Sequence, residues 1–234
     1  MADRDVNREP PVYVAKKAGC RMIMDGFLDE SAWQSVNSVG DFVFPWYESG
    51  ERFRTTAKIL WDDERLYFAF DCEDKYIWAE HYRHNDPVSR DSCCEAFIAP
   101  APDGPARLDY INYEINCLGT WKVGYHADSR GLVMRDWHDC RHLEIGRVIR
   151  GTCNDDSDLD EGWTLEFSVP FSHFSDFGAQ FPPRDGQIVR IGLNRCGGKT
   201  NPQYSQWAPS STPEPQFHSP ADFGTVILST ETAG

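Results

Sequence analysis

The chain has 234 residues, 40% of them hydrophobic and 13% aromatic, with 8 Trp, 9 Tyr and 14 Phe. That composition belongs to a folded globular domain and excludes a disordered chain. A net charge of −14 repels phosphate backbones and anionic lipid surfaces; it argues against nucleic acid and membrane partners and leaves neutral sugars and divalent cations.

The N-terminal stretch has charges of both signs and no apolar core of the kind a signal peptide carries. A complete chain of this kind is expected in the cytoplasm, and one trimmed of a leader outside the cell. Short segments rich in β-branched and aromatic residues then recur between Gly, Pro, Asn and Asp clusters. The expected strands are Val12–Lys16, Thr55–Trp61, Leu66–Cys72, Ser92–Ala99, Tyr110–Asn116 and Lys122–Tyr125, followed by Leu143–Arg150, Trp163–Val169, Ile188–Arg195, Tyr204–Trp207 and Gly224–Leu228. The polar residues between Trp61 and Leu66 mark a hairpin. Helical cues are confined to a short start at Asp29–Trp33 and a turn at Pro170–Phe174. This inventory predicts one all-β domain over 1–234, with its core from about 12 to 229. The expected form is a two-layer antiparallel sandwich or jelly roll with one or two short helical turns.

Strand parity divides the faces. Ile111, Tyr113 and Ile115 share one face of their strand, and Asn112, Glu114 and Asn116 the other. Trp163, Leu165, Phe167 and Val169 point inward, with Thr164, Glu166 and Ser168 outward. A polar outer face fits solvated surface, and it also fits a ligand groove; parity does not choose. Trp46, Trp61, Trp163 and Trp207 read as core, Trp46 and Trp207 lying beside Pro-containing loops. Cys20, Cys72, Cys93, Cys94, Cys117, Cys140, Cys153 and Cys196 lack zinc-site spacing and read as free, mostly buried thiols. In the acidic run Asn154–Gly162, Asp156, Asp158 and Asp160 offer alternating oxygens to a structural calcium. The EF-hand pattern fails there, however, and a solvated turn explains the run as well. No cofactor is required.

Six segments in order resemble family 9 carbohydrate-binding modules and their looser relatives. They are Asp25-Gly26-Phe27-Leu28-Asp29-Glu30-Ser31-Ala32-Trp33, Leu60–Phe68, Asp91-Ser92-Cys93-Cys94-Glu95-Ala96-Phe97-Ile98, Tyr113-Glu114-Ile115-Asn116-Cys117-Leu118-Gly119-Thr120, Trp163–Phe171 and Phe217–Gly224. The resemblance implies a β-sandwich that binds carbohydrate without altering it, a sugar end stacking between two tryptophans while polar groups satisfy its hydroxyls. By that resemblance Glu95 is one polar group and Phe217 stands for one tryptophan. Val88 occupies the place of the other, so Trp78, Tyr82 and His84 become candidates for the second platform. Asn112, Glu114 and Asn116 are further candidates for ligand contact. The competing reading of Glu95 is an ion pair with Arg190 or Arg195.

Two other classes stay open. A glycoside-acting enzyme needs two carboxylates about 5–9.5 Å apart across a cleft, for which Glu95, Glu114 and Glu166 are available. A haem-binding sandwich needs axial ligands, here drawn from His81, His84, His126, His138, His142 and Met134.

Overall fold

The computed structural model describes residues 9–19, 21–103, 107–127, 140 and 142–234, and the backbone alone of 132–134. Among these lie β1 (Val12–Ala18), β2 (Thr55–Trp61), β3 (Arg65–Glu73), β4 (Cys93–Ala99), β5 (Tyr110–Asn116) and β6 (Trp121–Ala127). Then come β7 (Leu132–Met134), β8 (Glu144–Arg150), β9 (Gly162–Pro170), β10 (Gln187–Cys196), β11 (Tyr204–Gln206) and β12 (Gly224–Ala233). The short helix α1 (Ser31–Gln34) and 3₁₀ turns at Val88–Arg90, Phe171–Phe177 and Pro220–Asp222 complete the inventory. Each expected strand is present; β7, which sequence pattern did not mark, is additional. No helix among the described residues is long and apolar enough to cross a membrane.

The strands form one hydrogen-bonded path, β7-β6-β5-β4-β10-β12-β1-β2-β3-β9-β8, with β11 added beside β10. Pairing is antiparallel, as expected of the sandwich, except at β1, which runs parallel to both β12 and β2. The sheet folds over so that its two halves share one core. Ala96 and Ile98 of β4, Tyr113 and Ile115 of β5 and Leu193 of β10 pack in the same cluster as Phe68 of β3 and Trp163, Leu165 and Phe167 of β9. Sulfurs of Cys72 on β3 and Cys94 on β4 approach to 3.3 Å across the layers. No disulfide joins the described cysteines, of which all but Cys153 are buried; Cys20 lies outside the described residues.

Local chemistry explains the β2–β3 hairpin. Asp62 Oδ1 accepts the backbone N–H groups of Glu64 and Arg65, each at 2.8 Å, and Oδ2 accepts the Tyr67 hydroxyl at 2.5 Å. An aspartate at the first turn position satisfies donors the ladder leaves over.

The polar strand faces are not solvated. Asn112, Glu114 and Asn116 are all buried, as are Thr164, Glu166 and Ser168. The segment around Asp25–Trp33 covers part of the outer face of β9, where Glu166 accepts N–H bonds from Trp33 Nε1 and Gly26, both at 2.6 Å. Loop residues 210–223 lie over the other layer, with Phe217 and Phe223 packed near Phe97 and Tyr110.

Candidate functional site

A cavity of about 460 Å³ opens on that second covered face. Glu95 and Phe97 of β4, Glu114 of β5 and Cys196 at the end of β10 form its floor. Ser89 and Arg90 close one side, and Gly197, Gly198, Lys199 and Pro202 another. Tyr204 of β11 and the loop Pro215–His218 make the aromatic wall.

Antiparallel register sets the floor. Glu95 stands opposite Asn194 on β10 and opposite Glu114 on β5, and Glu114 stands opposite Lys122 on β6. Directly opposed residues put their Cβ atoms about 4.5–5.5 Å apart, so the two carboxylates are neighbours. Glu95 is 2% exposed and Glu114 4%.

Amide relays hold both carboxylates. Ser210 N–H donates to Gln206 Oε1 at 2.9 Å, Gln206 Nε2 donates to Asn194 Oδ1 at 3.2 Å, and Asn194 Nδ2 donates to Glu95 Oε2 at 3.2 Å. Cys196 Sγ lies 3.6 Å from Glu95 Oε1 as a weak donor. Across the floor, Asn112 Nδ2 donates to Glu114 Oε1 at 2.8 Å, and Asn112 Oδ1 lies 2.8 Å from His126 Nε2. Gly124 leaves room for this arrangement, since a Cβ there would come 2.3 Å from Asn112 Oδ1. Glu114 Oε2 is buried and makes no hydrogen bond of ordinary geometry.

Burial pushes both carboxyl groups up, Glu95 well above the usual range with the Glu114 charge adding to the effect. Glu114 is raised by burial against the opposing pull of Lys122, the Asn112 amide and the Ser89 hydroxyl. Like charges buried side by side do not both ionise readily. Neither expected arginine relieves Glu95. Arg190 donates through Nε to the Phe223 carbonyl at 2.7 Å, and Arg195 pairs with Asp74 at 2.6 Å. The ion-pair reading of Glu95 is corrected accordingly.

The wall is a cluster of rings. Phe217 is half-buried, with Trp46 at 5.7 Å and Tyr204 at 5.9 Å between centroids. Trp46 is itself half-buried, its indole N–H bonded to the Thr212 carbonyl at 2.9 Å. Val88 is fully buried against Cys93 and Cys196, with Phe217 packed on it. Tyr204, 43% exposed, is the second ring at the mouth. Sequence reasoning placed it in a strand without assigning it to the site. The available clue was its place on the strand beside β10, opposite Cys196.

The other candidates fall elsewhere. Trp78 lies behind the rim, under the Lys199 ammonium at 4.6 Å, and Gly198 passes so close that a Cβ would come 2.6 Å from Trp78 Cβ. Tyr82 is exposed with its hydroxyl on the Ala79 carbonyl, and His84 stacks on Trp121 at 4.2 Å. None of these three rings lines the cavity. Asn116 Nδ2 bonds Asp91 Oδ2 and the His81 carbonyl, while its Oδ1 accepts Leu118 and Thr120 N–H. It builds the turn after β5.

Asp156, Asp158 and Asp160 lie in the β8–β9 connection and are not gathered. Asp156 accepts the Thr200 hydroxyl, Asp158 is exposed, and buried Asp160 accepts Ile77 and Thr152 N–H. Among the described residues, Asp25, Glu30 and Glu166 alone bring three ligand atoms within 4.8 Å of one another. The histidines weighed for haem are engaged separately. His81 bonds Asp91, His84 stacks on Trp121, His126 stacks on Tyr110 at 4.4 Å, and the His142 carbonyl accepts from Arg65. His138 and the Met134 side chain lie outside the described residues.

The model of carbohydrate-binding family 9 matches residues 23–228. This chain belongs to that family. A carbohydrate-binding family 9 module of Caldicellulosiruptor kristjanssonii in complex with cellotriose superposes with a TM-score of 0.64 at 15% identity, over 93% of this chain and 94% of that one. The glucose complex of a family 9 module from that organism gives 0.63 at 16%, over 93% and 96%. A candidate carbohydrate-binding protein of Bacteroides uniformis ATCC 8492 gives 0.77 at 20%, over 94% and 100%. At these identities the likeness to the solved structures is one of fold. No curated protein matches the chain.

Proposed function

We propose that this family 9 domain binds the end of a sugar chain in the cavity between the Glu95–Glu114 floor and the Phe217–Tyr204 wall, without altering it. The observation that carries this reading is a wall of two adjoining rings beside a buried carboxylate pair inside one cavity. A pyranose has apolar C–H faces that pack on rings and a rim of hydroxyls that donate to carboxylates. The volume lies within the range of small-molecule sites, and the solved family 9 complexes hold cellotriose and glucose.

Calorimetry against a panel of mono- and oligosaccharides, with wild type and Glu95→Ala, tests the assignment. Binding is expected in the wild type and a loss of at least about tenfold in the variant, from removal of a buried hydrogen-bonding carboxyl group. Undiminished binding by Glu95→Ala moves the site elsewhere, and failure of the whole panel removes the function.

A glycoside-acting reading draws on the same adjacent carboxylates. Their place side by side on one floor speaks against it, because glycosidases set theirs on either side of the scissile bond. Sustained release of reducing ends from bound oligosaccharides would establish catalysis.

A further inference from the structure

We propose that the cavity floor selects sugars bearing an ammonium group, an unacetylated amino sugar above all, over neutral and acidic sugars. The inference rests on the carbohydrate-binding reading and names the class of sugar.

The floor has an excess of acceptors. Asn194 and Cys196 engage Glu95, and Asn112 engages one oxygen of Glu114. The remaining oxygen of Glu114, buried at the cavity floor, makes no hydrogen bond of ordinary geometry, although the Ser89 hydroxyl stands near the carboxyl group. A ligand hydroxyl supplies one donor and no charge, whereas an ammonium supplies three donors and a positive charge. The charge matters because two carboxylates stand together in a poorly solvated place, where an opposite charge acts with little screening.

The surrounding charges leave this need in place. Lys122 of β6 faces Glu114 from the neighbouring strand, half-buried. Arg90 is at the exposed rim, and Lys199 is turned onto the Trp78 ring. Arg195 is committed to Asp74. Asp91, buried behind the floor and bonded to His81 and Asn116, adds negative charge, and the Cys93 and Cys196 thiols beneath are pushed up by burial and by Glu95. His218 stands over Phe97 at 4.7 Å on the outer side. The Phe217 and Tyr204 rings offer π faces, which attract a cation as well as C–H groups. A uronate would bring a third carboxylate to the pair.

The test is calorimetric titration at about pH 6.5, where an amine of ordinary basicity is charged, with D-glucosamine, D-glucose, N-acetyl-D-glucosamine and D-glucuronate. Glucosamine is expected to bind about tenfold more tightly than glucose or its N-acetyl form, a difference of about 1.4 kcal/mol, and glucuronate most weakly. Glu114→Gln, checked for its fold by circular dichroism, should collapse the glucosamine-to-glucose ratio to about threefold or less. The wild-type series decides the matter even where the variant does not fold. Glucose binding as tight as glucosamine overturns the selectivity and leaves carbohydrate binding standing, as does a ratio unchanged in a folded Glu114→Gln. Failure of all four sugars and of the oligosaccharide panel overturns both.

Discussion

Arg195 and Asp74 form an ion pair at 2.6 Å with both side chains buried, joining the end of β10 to the chain leaving β3. Ser92 Oγ donates to the same Asp74 oxygen at 2.8 Å and Trp163 Nε1 at 3.3 Å, while the Arg195 guanidinium sits 5.1 Å from the Trp163 ring centre. This node ties the two layers together and leaves Glu95 without the Arg195 guanidinium as a partner.

Removing one partner of such a pair strands the other charge. Arg195→Ala is expected to destabilise the fold by about 3–5 kcal/mol. For a domain of this size that lowers the melting temperature by roughly 6–20 °C. Arg195→Lys keeps the charge and loses the planar fork, so it should fall between the two. Differential scanning calorimetry measures this, and a loss under about 1 kcal/mol for Arg195→Ala would show that the pair is dispensable.

The aromatic wall makes a separable prediction. Phe217→Ala and Tyr204→Ala should each weaken sugar binding about tenfold, in line with about 1–3 kcal/mol per stacked ring. Both rings are at the mouth, so melting temperatures should move by only a few degrees. Tyr82→Ala and His84→Ala, outside the cavity, should leave affinity within about twofold, the near-neutral effect of residues that do not touch the ligand. Equal losses in all four would place the ring contacts elsewhere.

Val88 clarifies why one family position looked empty. The resemblance puts a stacking tryptophan there, but this side chain is buried beneath Phe217 and against Cys93 and Cys196. Val88→Trp therefore overpacks the floor instead of restoring a platform. A cost of about 1–3 kcal/mol is expected, with sugar affinity unchanged or weaker. A gain in affinity at unchanged stability would mean that the turn Val88–Arg90 opens to present the ring.

Much of the fold was legible because strand chemistry is local. Alternation in Tyr110–Asn116 and Trp163–Val169 correctly assigned Tyr113 and Phe167 to the core, and Asp62 marked its hairpin. What covers a strand's far side was not legible, because the cover comes from remote sequence. Trp33 reaches Glu166 across 133 positions, and Phe217 lies over the β4 face from the last inter-strand loop. Parity grouped Glu114 with Asn112 and Asn116, yet only register with β4 and β6 separates a floor carboxylate from a turn-building amide. The remote Trp78, Tyr82 and His84 were drawn in by nearness to Val88 in sequence, while Tyr204 was reached only through strand pairing.

Glu166 supplies a prediction with a pH sign. Burial lifts its carboxyl to about 7, against the Gly26 and Trp33 donors that pull it down, with the charges of Glu30 and Asp25 pushing it further up. The unfolded value is about 4.3, so folding favours the protonated form. That stabilising contribution is complete below about pH 4.3 and is lost as pH rises through about 7. Glu95 and Glu114 are displaced in the same direction and steepen the same slope. Glu166→Gln cannot titrate, and it sets an amide N–H against one of the donors that Glu166 accepts, at a cost of about 1–3 kcal/mol. Urea unfolding between about pH 4.5 and 7.5 should therefore show the variant least stable relative to wild type at the acid end, with the gap narrowing as pH rises. Parallel profiles would mean that Glu166 does not change protonation on folding.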